Sequence, residues 1–280
     1  MSLDQVITSL IYLVSTFVVF LLGKWAFDKF NHRFDLHHEL LKNDNFSLSL
    51  AVVGYYSGLI FALGGVLDGP SIGWIDDVFD ILFYGFFAII LLNLAGIINE
   101  KLILSKFSIE DEIIRDQNAG AGAIAGGNYL ASGLVVAGAI QGEGDLMTGI
   151  VFWLIGQAVL ILVSRIYDLI TPFDIHEQIE KDNVAVGVSF AGVLIAFGNI
   201  IRISIEGDFI SWQQNLSEFA GFIVFGLVLL PVVRFITDKL LLPGEKLTDE
   251  LVNQEKPNVG AGTIEAFSYI AASLLLGWVV

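Results

Sequence analysis

The chain has 280 residues, 55% of them hydrophobic and 16% charged, with no Cys and a formal charge of −16. A mean hydropathy of +0.74 excludes an ordinary soluble domain, in which about a quarter of the residues are charged. The acidic balance excludes nucleic acid as a partner, because phosphate binding needs clustered Lys and Arg. The lack of Cys excludes disulfides, thiolate metal sites and thiol nucleophiles.

A membrane helix needs about 20 mostly apolar residues. Eight such windows follow one another near residues 5–27, 46–67, 78–99, 118–141, 146–170, 184–205, 216–238 and 259–280. The first has no basic leader and no Ala-x-Ala cleavage site, so it reads as a retained span and not as a signal peptide. Runs such as Val14 to Leu22 and Ile223 to Val233 lack the period-two alternation of a barrel strand. The expected fold is therefore an all-α polytopic membrane protein. Lys24, Lys29, Arg33 and Lys42 flank the first loop; Lys101, Lys106 and Arg115 the third; Arg165 and Lys181 the fifth; Arg234, Lys239, Lys246 and Lys256 the seventh. Only Arg202 lies near an even-numbered loop. Basic residues flanking spans stay on the cytoplasmic side, which predicts cytoplasmic odd loops and both termini outside. The even loops, with Asp68, Asp76, Asp77, Glu143, Asp145, Glu206 and Asp208, form an acidic outer rim.

The chain repeats itself. Phe34-Asp35-Leu36-His37 returns as Phe173-Asp174-Ile175-His176, Trp74 as Trp212, Asp80 as Glu218, and Asp111-Glu112 as Asp249-Glu250. In the fourth and eighth spans, Asn118-x-Gly120-Ala121-Gly122-x-Ile124 answers Asn258-x-Gly260-Ala261-Gly262-x-Ile264, with Tyr129 on Tyr269. Two registers remain open for the second and sixth spans: Gly54 and Gly58 on Gly192 and Ala196 without a gap, or Ser57 to Gly64 on Ala191 to Gly198. The repeats are placed at 1–142 and 143–280. Each holds four spans, an even number, so both insert with the same orientation, related by a pseudo-twofold along the membrane normal.

Four spans per unit, the aromatic-Asp-x-His link, the Lys-x-(Asn)-Asp-Asn entry to the second span and the Asn-led, Gly/Ala-rich last span resemble the YjfL-like bacterial inner-membrane proteins. These form the domain-of-unknown-function family numbered three hundred and fifty. The resemblance covers nearly the whole chain as two tandem copies. It implies a fold and a location in the bacterial inner (plasma) membrane, with no established activity. Family members are often encoded beside membrane-stress proteins, which implies cytoplasmic partners of that kind and a role in envelope maintenance.

Glu265 is the costliest residue by position. It lies six residues inside the last window, roughly 9 Å deep at about 1.5 Å per residue, where a carboxylate is penalised by a few kcal/mol. Ser268 and Tyr269 share its face, and the repeat-equivalent positions hold Ala125, Asn128 and Tyr129. These polar groups at matched depth suit either a proton or cation site or a protonated Glu bonded across helices. Asn118 and Asn258 suit helix capping, and the small residues Gly54/Gly58 and Gly122/Gly126 suit close helix packing. Pro231 is expected to kink the seventh span, and Arg202 to pair with Glu206 one turn away.

Asp35 with His37, and Asp174 with His176, place imidazole beside carboxylate on the cytoplasmic links. That combination can bind a divalent metal. The spacing lacks a metalloprotease helix, however, and the favoured reading is an interfacial link whose Phe34, Leu36, Leu40 and Leu41 rest on the membrane. No metal or cofactor is expected. Trp74 and Trp212 read as interfacial anchors. Asp80 and Glu218, six residues later, are either an acidic outer vestibule or first-turn acids favoured by the helix dipole, depending on where the spans begin.

Two functions compete. One is a scaffold whose loops at 100–117 and 239–257 recruit stress-response partners through Asp111/Glu112 and Asp249/Glu250. The other is conduction of a small cation or proton between the repeats by Asp80, Glu218, Asn128 and Glu265. An enzyme is not expected: no catalytic motif is present, and every cytoplasmic link is far shorter than the roughly 50 residues of an independent domain. The bilayer, stress proteins and a second copy of the chain are the expected partners.

Overall fold

The computed structural model describes residues 2–104, 106, 108–141 and 145–280, with the side chain of Asn99 outside the description. Glu143 of the expected outer rim also lies outside the described residues. The first repeat runs α1 (Leu3–Phe30), a short α2 (Leu36–Leu41), α3 (Phe46–Leu67), α4 (Trp74–Ile98), a short α5 (Ile109–Ile114) and α6 (Ala119–Gln141). The second runs α7 (Leu146–Ile170), a short α8 (Ile175–Glu180), α9 (Val184–Ile205), α10 (Trp212–Ile236), a short α11 (Leu247–Val252) and α12 (Val259–Val279). Both α4 and α10 continue as a π-helical turn, over Asn99–Ile103 and Thr237–Leu241. Eight of these helices are long and apolar enough to cross a membrane, and the described residues contain no strand.

Local chemistry sets the boundaries. Asn45, Asn183 and Asn258 cap α3, α9 and α12 by accepting from the backbone N–H three residues on, while Asn118 accepts from Gly120 and Ala121 at 2.9 and 3.2 Å. Such caps are worth about 1 kcal/mol each. The third and seventh spans begin at Trp74 and Trp212, four residues before the hydropathy windows. Ser211 caps α10 through Gln214 N–H, and Asp76 and Asp77 occupy the first turn of α4, where the dipole favours acids. Pro231 lies inside α10, which runs on to Ile236.

The interior is a row of four helices, α3 on α6, α6 on α9 and α9 on α12, which make the three most extensive contacts. Among the spans, α9 and α6 are the most enclosed, with 83% and 72% of their apolar windows buried, against 11% for α1. Without a hydrophobic drive between helices in lipid, association depends on close van der Waals packing, and small residues supply it. A Cβ at Gly54 would fall 2.2 Å from Gly126 Cα, and one at Gly192 would fall 2.4 Å from Ala266 Cα. Likewise a Cβ at Gly122 would meet the Ser47 carbonyl at 2.2 Å, and one at Gly262 the Ala185 carbonyl at 2.3 Å. The same contacts therefore recur with Gly54 on Gly192, which selects the ungapped register of the two open from sequence.

Between repeats, α6 meets α9 through Gly120 against Gly187, Gly127 against Ala191 and Ala131 against Gly198. A twofold axis would return this contact as α12 on α3, a pair absent from the extensive contacts of the described residues. The repeats thus meet head-to-tail, which differs from the expected twofold, and both ends of the row are open. Phe267 and Trp278, exposed on α12, stand where α6 has Gly127 and Gly138. Large apolar side chains at these positions suit lipid instead of a close helix neighbour.

The four short helices gather on one face. Asn45 Nδ2 donates to the Ile113 carbonyl at 2.9 Å, Asn118 Nδ2 to Ile179 at 2.6 Å and Asn183 Nδ2 to Leu251 at 2.8 Å. Each capping Asn thus fastens the next short helix, and the middle bond crosses between repeats. Leu36 is buried in the protein, so the link does not rest all of Phe34, Leu36, Leu40 and Leu41 on the membrane; Leu41 is exposed.

Candidate functional site

Glu265 and Arg234 form a buried ion pair in the second repeat, brought together by α10 and α12. Glu265 is fully buried, and the Arg234 side chain is 13% exposed. The guanidinium Nη1 donates to Glu265 Oε1, Tyr269 Oη donates to the same oxygen at 3.1 Å, and Ser189 Oγ donates to Oε2. Tyr167 Oη lies 2.8 Å from Ser189 Oγ, extending the network to α7. On its outer side, Arg234 Nη2 donates to Thr248 Oγ1 at 3.3 Å and the guanidinium lies 5.9 Å from the Phe173 ring centre. Three spans meet at the carboxylate itself, and a fourth span and two links complete the network around it. Chemically this is a satisfied, charge-neutral cluster, the condition under which a buried pair is tolerated.

Arg234 is the residue that sequence reasoning misplaced. It counts among the loop cations by hydropathy, yet it lies within α10 with its charge turned inward. A signal was present: the repeat equivalents of Arg234 and Glu265 are Gly96 and Ala125, so both charges appear together in one repeat and vanish together in the other.

The remaining candidates are dispersed. Asn128 Nδ2 donates to the Ala95 carbonyl at 3.2 Å, fastening α6 to α4, and Ser268 donates back to Ile264 of its own helix at 2.7 Å. Tyr129 packs edge-on to Tyr55 with ring centres 5.3 Å apart. Because α4 and α10 start at their Trp residues, Asp80 and Glu218 lie six residues in. Glu218 is exposed and accepts from Gln214 at 3.0 Å, while Asp80 is half-buried. From Glu218 to Arg234 is sixteen residues of one helix, or about 24 Å at 1.5 Å per residue. Arg202 pairs with Glu206. Glu112 and Glu250 hold the capping side chains of Asn118 and Asn258, at 2.8 and 2.7 Å.

The two His links diverge. His37 is exposed and its neighbour Asp35 caps α2. His176 is buried, with Nε2 3.1 Å from the Ile103 carbonyl, and burial pushes its pKa below the ordinary value, the Lys106 charge adding to the effect. Asp168, Asp174 and His176 bring one ligand atom each within 4.8 Å of one another, a spacing that a cation could bridge. Lys106 already supplies a cation to Asp174 at 2.6 Å, and this contact holds the Asp174 carboxyl below the usual range. Asp168 accepts from the Ile175 N–H at 3.0 Å. The described geometry is that of a tied loop.

Comparison with known proteins agrees with the repeat. The UPF0719 transmembrane protein of Aquifex aeolicus (strain VF5) is 23% identical over 270 residues, covering 94% of this chain and 97% of its own. The UPF0719 transmembrane protein YshE of Bacillus subtilis (strain 168) is 26% identical over 114 residues, which is 41% of this chain but 81% of the relative. It is thus the size of one repeat. No solved structure matches. The family described as Domain of Unknown Function (DUF350) matches twice, over residues 1–140 and 143–280, and the chain belongs to that family as a tandem pair of its domains.

Proposed function

We propose that the protein is a scaffold of the bacterial inner membrane, with α2, α5, α8 and α11 in the cytoplasm, both termini outside and no catalytic activity of its own. The observation that carries this reading is the state of Glu265. Among the described residues it is the one carboxylate deep in the row, and both its oxygens are taken by Arg234, Ser189 and Tyr269. A conducting site needs ligands that bind weakly enough to release an ion; this one is already neutralised by a fixed guanidinium. The alternative, passage of a small cation or proton between the repeats, would require Arg234 to withdraw and a route to open over the length of α10 that separates Glu218 from the pair.

The scaffold surface is the short-helix face. Glu112 and Glu250 belong to the fold, which leaves exposed Asp111 and partly exposed Asp249 to meet membrane-stress partners. Photo-crosslinkers placed beside these residues in cells should capture cytoplasmic proteins, and Asp111→Lys with Asp249→Lys should abolish the capture. Unchanged capture by the charge-reversed protein would overturn the reading.

A further inference from the structure

The first repeat contains a cavity of about 240 Å³ at the place where the second repeat holds its ion pair. The correspondence runs residue by residue. Gly96, Ala125 and Ala51 line the cavity and are the repeat equivalents of Arg234, Glu265 and Ser189. Tyr129, Phe34 and Glu110 also line it, and they are the equivalents of Tyr269, Phe173 and Thr248. The first repeat therefore lacks the guanidinium and the carboxylate, while it has the same two kinds of aromatic side chain around their place.

We infer that this cavity binds a small organic cation of the guanidinium class, held between Tyr129, whose hydroxyl lies 2.4 Å from where a Cβ at Gly96 would stand, and the carboxylates at the rim. Three features select a cation. The ring beneath the Arg234 guanidinium, Phe173, survives as Phe34, and aromatic faces attract such cations. The Tyr129 hydroxyl, which has no hydrogen-bond partner among the described residues, offers an acceptor at the inner end. At the rim stand Glu100 and Glu110, with Arg33 pairing only the second, at 2.9 Å. Glu110 moreover occupies the position of Thr248, the group that accepts from the outer nitrogen of Arg234. The position whose equivalent meets the outer end of a guanidinium in the second repeat is thus a carboxylate here, shared with Arg33, while Glu100 beside it has no ion-pair partner among the described residues. The planar, multiply donating guanidinium matches that arrangement better than a compact ammonium.

The test uses the purified full chain in detergent, with ethylguanidinium at millimolar concentration as the probe and urea as its neutral isostere. Ligand-observed NMR on the wild type should give saturable binding that urea does not reproduce. Ala125→Leu, which fills the inner end without altering charge, should weaken binding at least tenfold. Ala125→Glu, which restores the missing carboxylate, should strengthen it at least tenfold, and ethylguanidinium should raise the thermal midpoint of that variant more than that of the wild type. Glu110→Gln, at the rim and away from the packed interior, should weaken binding several-fold without changing elution from a sizing column. No saturable binding by the wild type, or binding that both Ala125→Leu and Glu110→Gln leave unchanged, would overturn the inference.

Discussion

Replacing Glu265 by Ala leaves the Arg234 guanidinium, only 13% exposed, without its counter-ion. Removing one partner of a buried pair costs about 3–5 kcal/mol, because the penalty for the remaining charge is no longer offset. Arg234→Ala should cost a similar amount for the reciprocal reason. The double variant should cost clearly less than the sum, since no charge is then left unpaired; groups in direct contact couple by about 0.5–3 kcal/mol, and a buried charge pair belongs at the upper end. The chain supplies its own precedent, because Gly96 and Ala125 are what the first repeat has at these positions. Reversible unfolding in mixed micelles, with SDS as denaturant, measures all four corners of the cycle. Strict additivity, or a Glu265→Ala variant as stable as the wild type, would refute the assignment of the pair as a structural lock.

Other expectations concern packing, pH and assembly. Gly54→Ala should destabilise by about 1–3 kcal/mol, the range for overpacking, since its Cβ would fall 2.2 Å from Gly126 Cα. Gly64→Ala, with nothing within 4 Å of its Cβ, should be neutral or stabilise by up to about 1 kcal/mol; the same unfolding titration reads both. Because burial lowers the folded-state pKa of His176, the unfolded state takes up its proton first as pH falls through about 6.5. Stability should therefore be full above that value and fall until the folded-state pKa is passed. His176→Gln should flatten this part of the pH–stability curve, and an unchanged slope would contradict the assignment. Light scattering on the detergent complex should give one copy of the chain and not the pair expected from sequence, because Phe267 and Trp278 block the close approach that Gly127 and Gly138 permit between repeats; a dimer dispersed by Phe267→Ala would contradict this.

Much of the architecture was legible because it rests on local chemistry. Apolar windows locate eight spans, Asn45, Asn118, Asn183 and Asn258 announce helix starts, and repeated Gly positions mark the close contacts. Hydropathy places the starts of α4 and α10 too late because Trp74-Ile75-Asp76-Asp77 and Trp212-Gln213-Gln214-Asn215 are helical without being apolar enough to register as span. The register of α3 on α9 needed the recurring Gly54–Gly126 and Gly192–Ala266 contacts, since apolar helices match one another at several offsets. Glu265 was legible as costly, and its partner only through the joint replacement of both charges by Gly96 and Ala125 in the first repeat. Arg234 sits near a span end, where a cation usually faces water, and only the packing of α10 on α12 turns it inward. The His links illustrate the same limit: one motif, Asp-x-His, gives an exposed His37 and a buried His176, and it is the second that meets the Ile103 turn.

Flux through proteoliposomes separates a Glu265 that locks the second repeat from one that carries an ion. Proton and cation flux should be measured across a range of pH and voltage for the wild type and for Glu265→Gln. A locked pair predicts flux indistinguishable from empty vesicles for both proteins, together with lower stability of the variant. A wild-type flux that Glu265→Gln abolishes would contradict it.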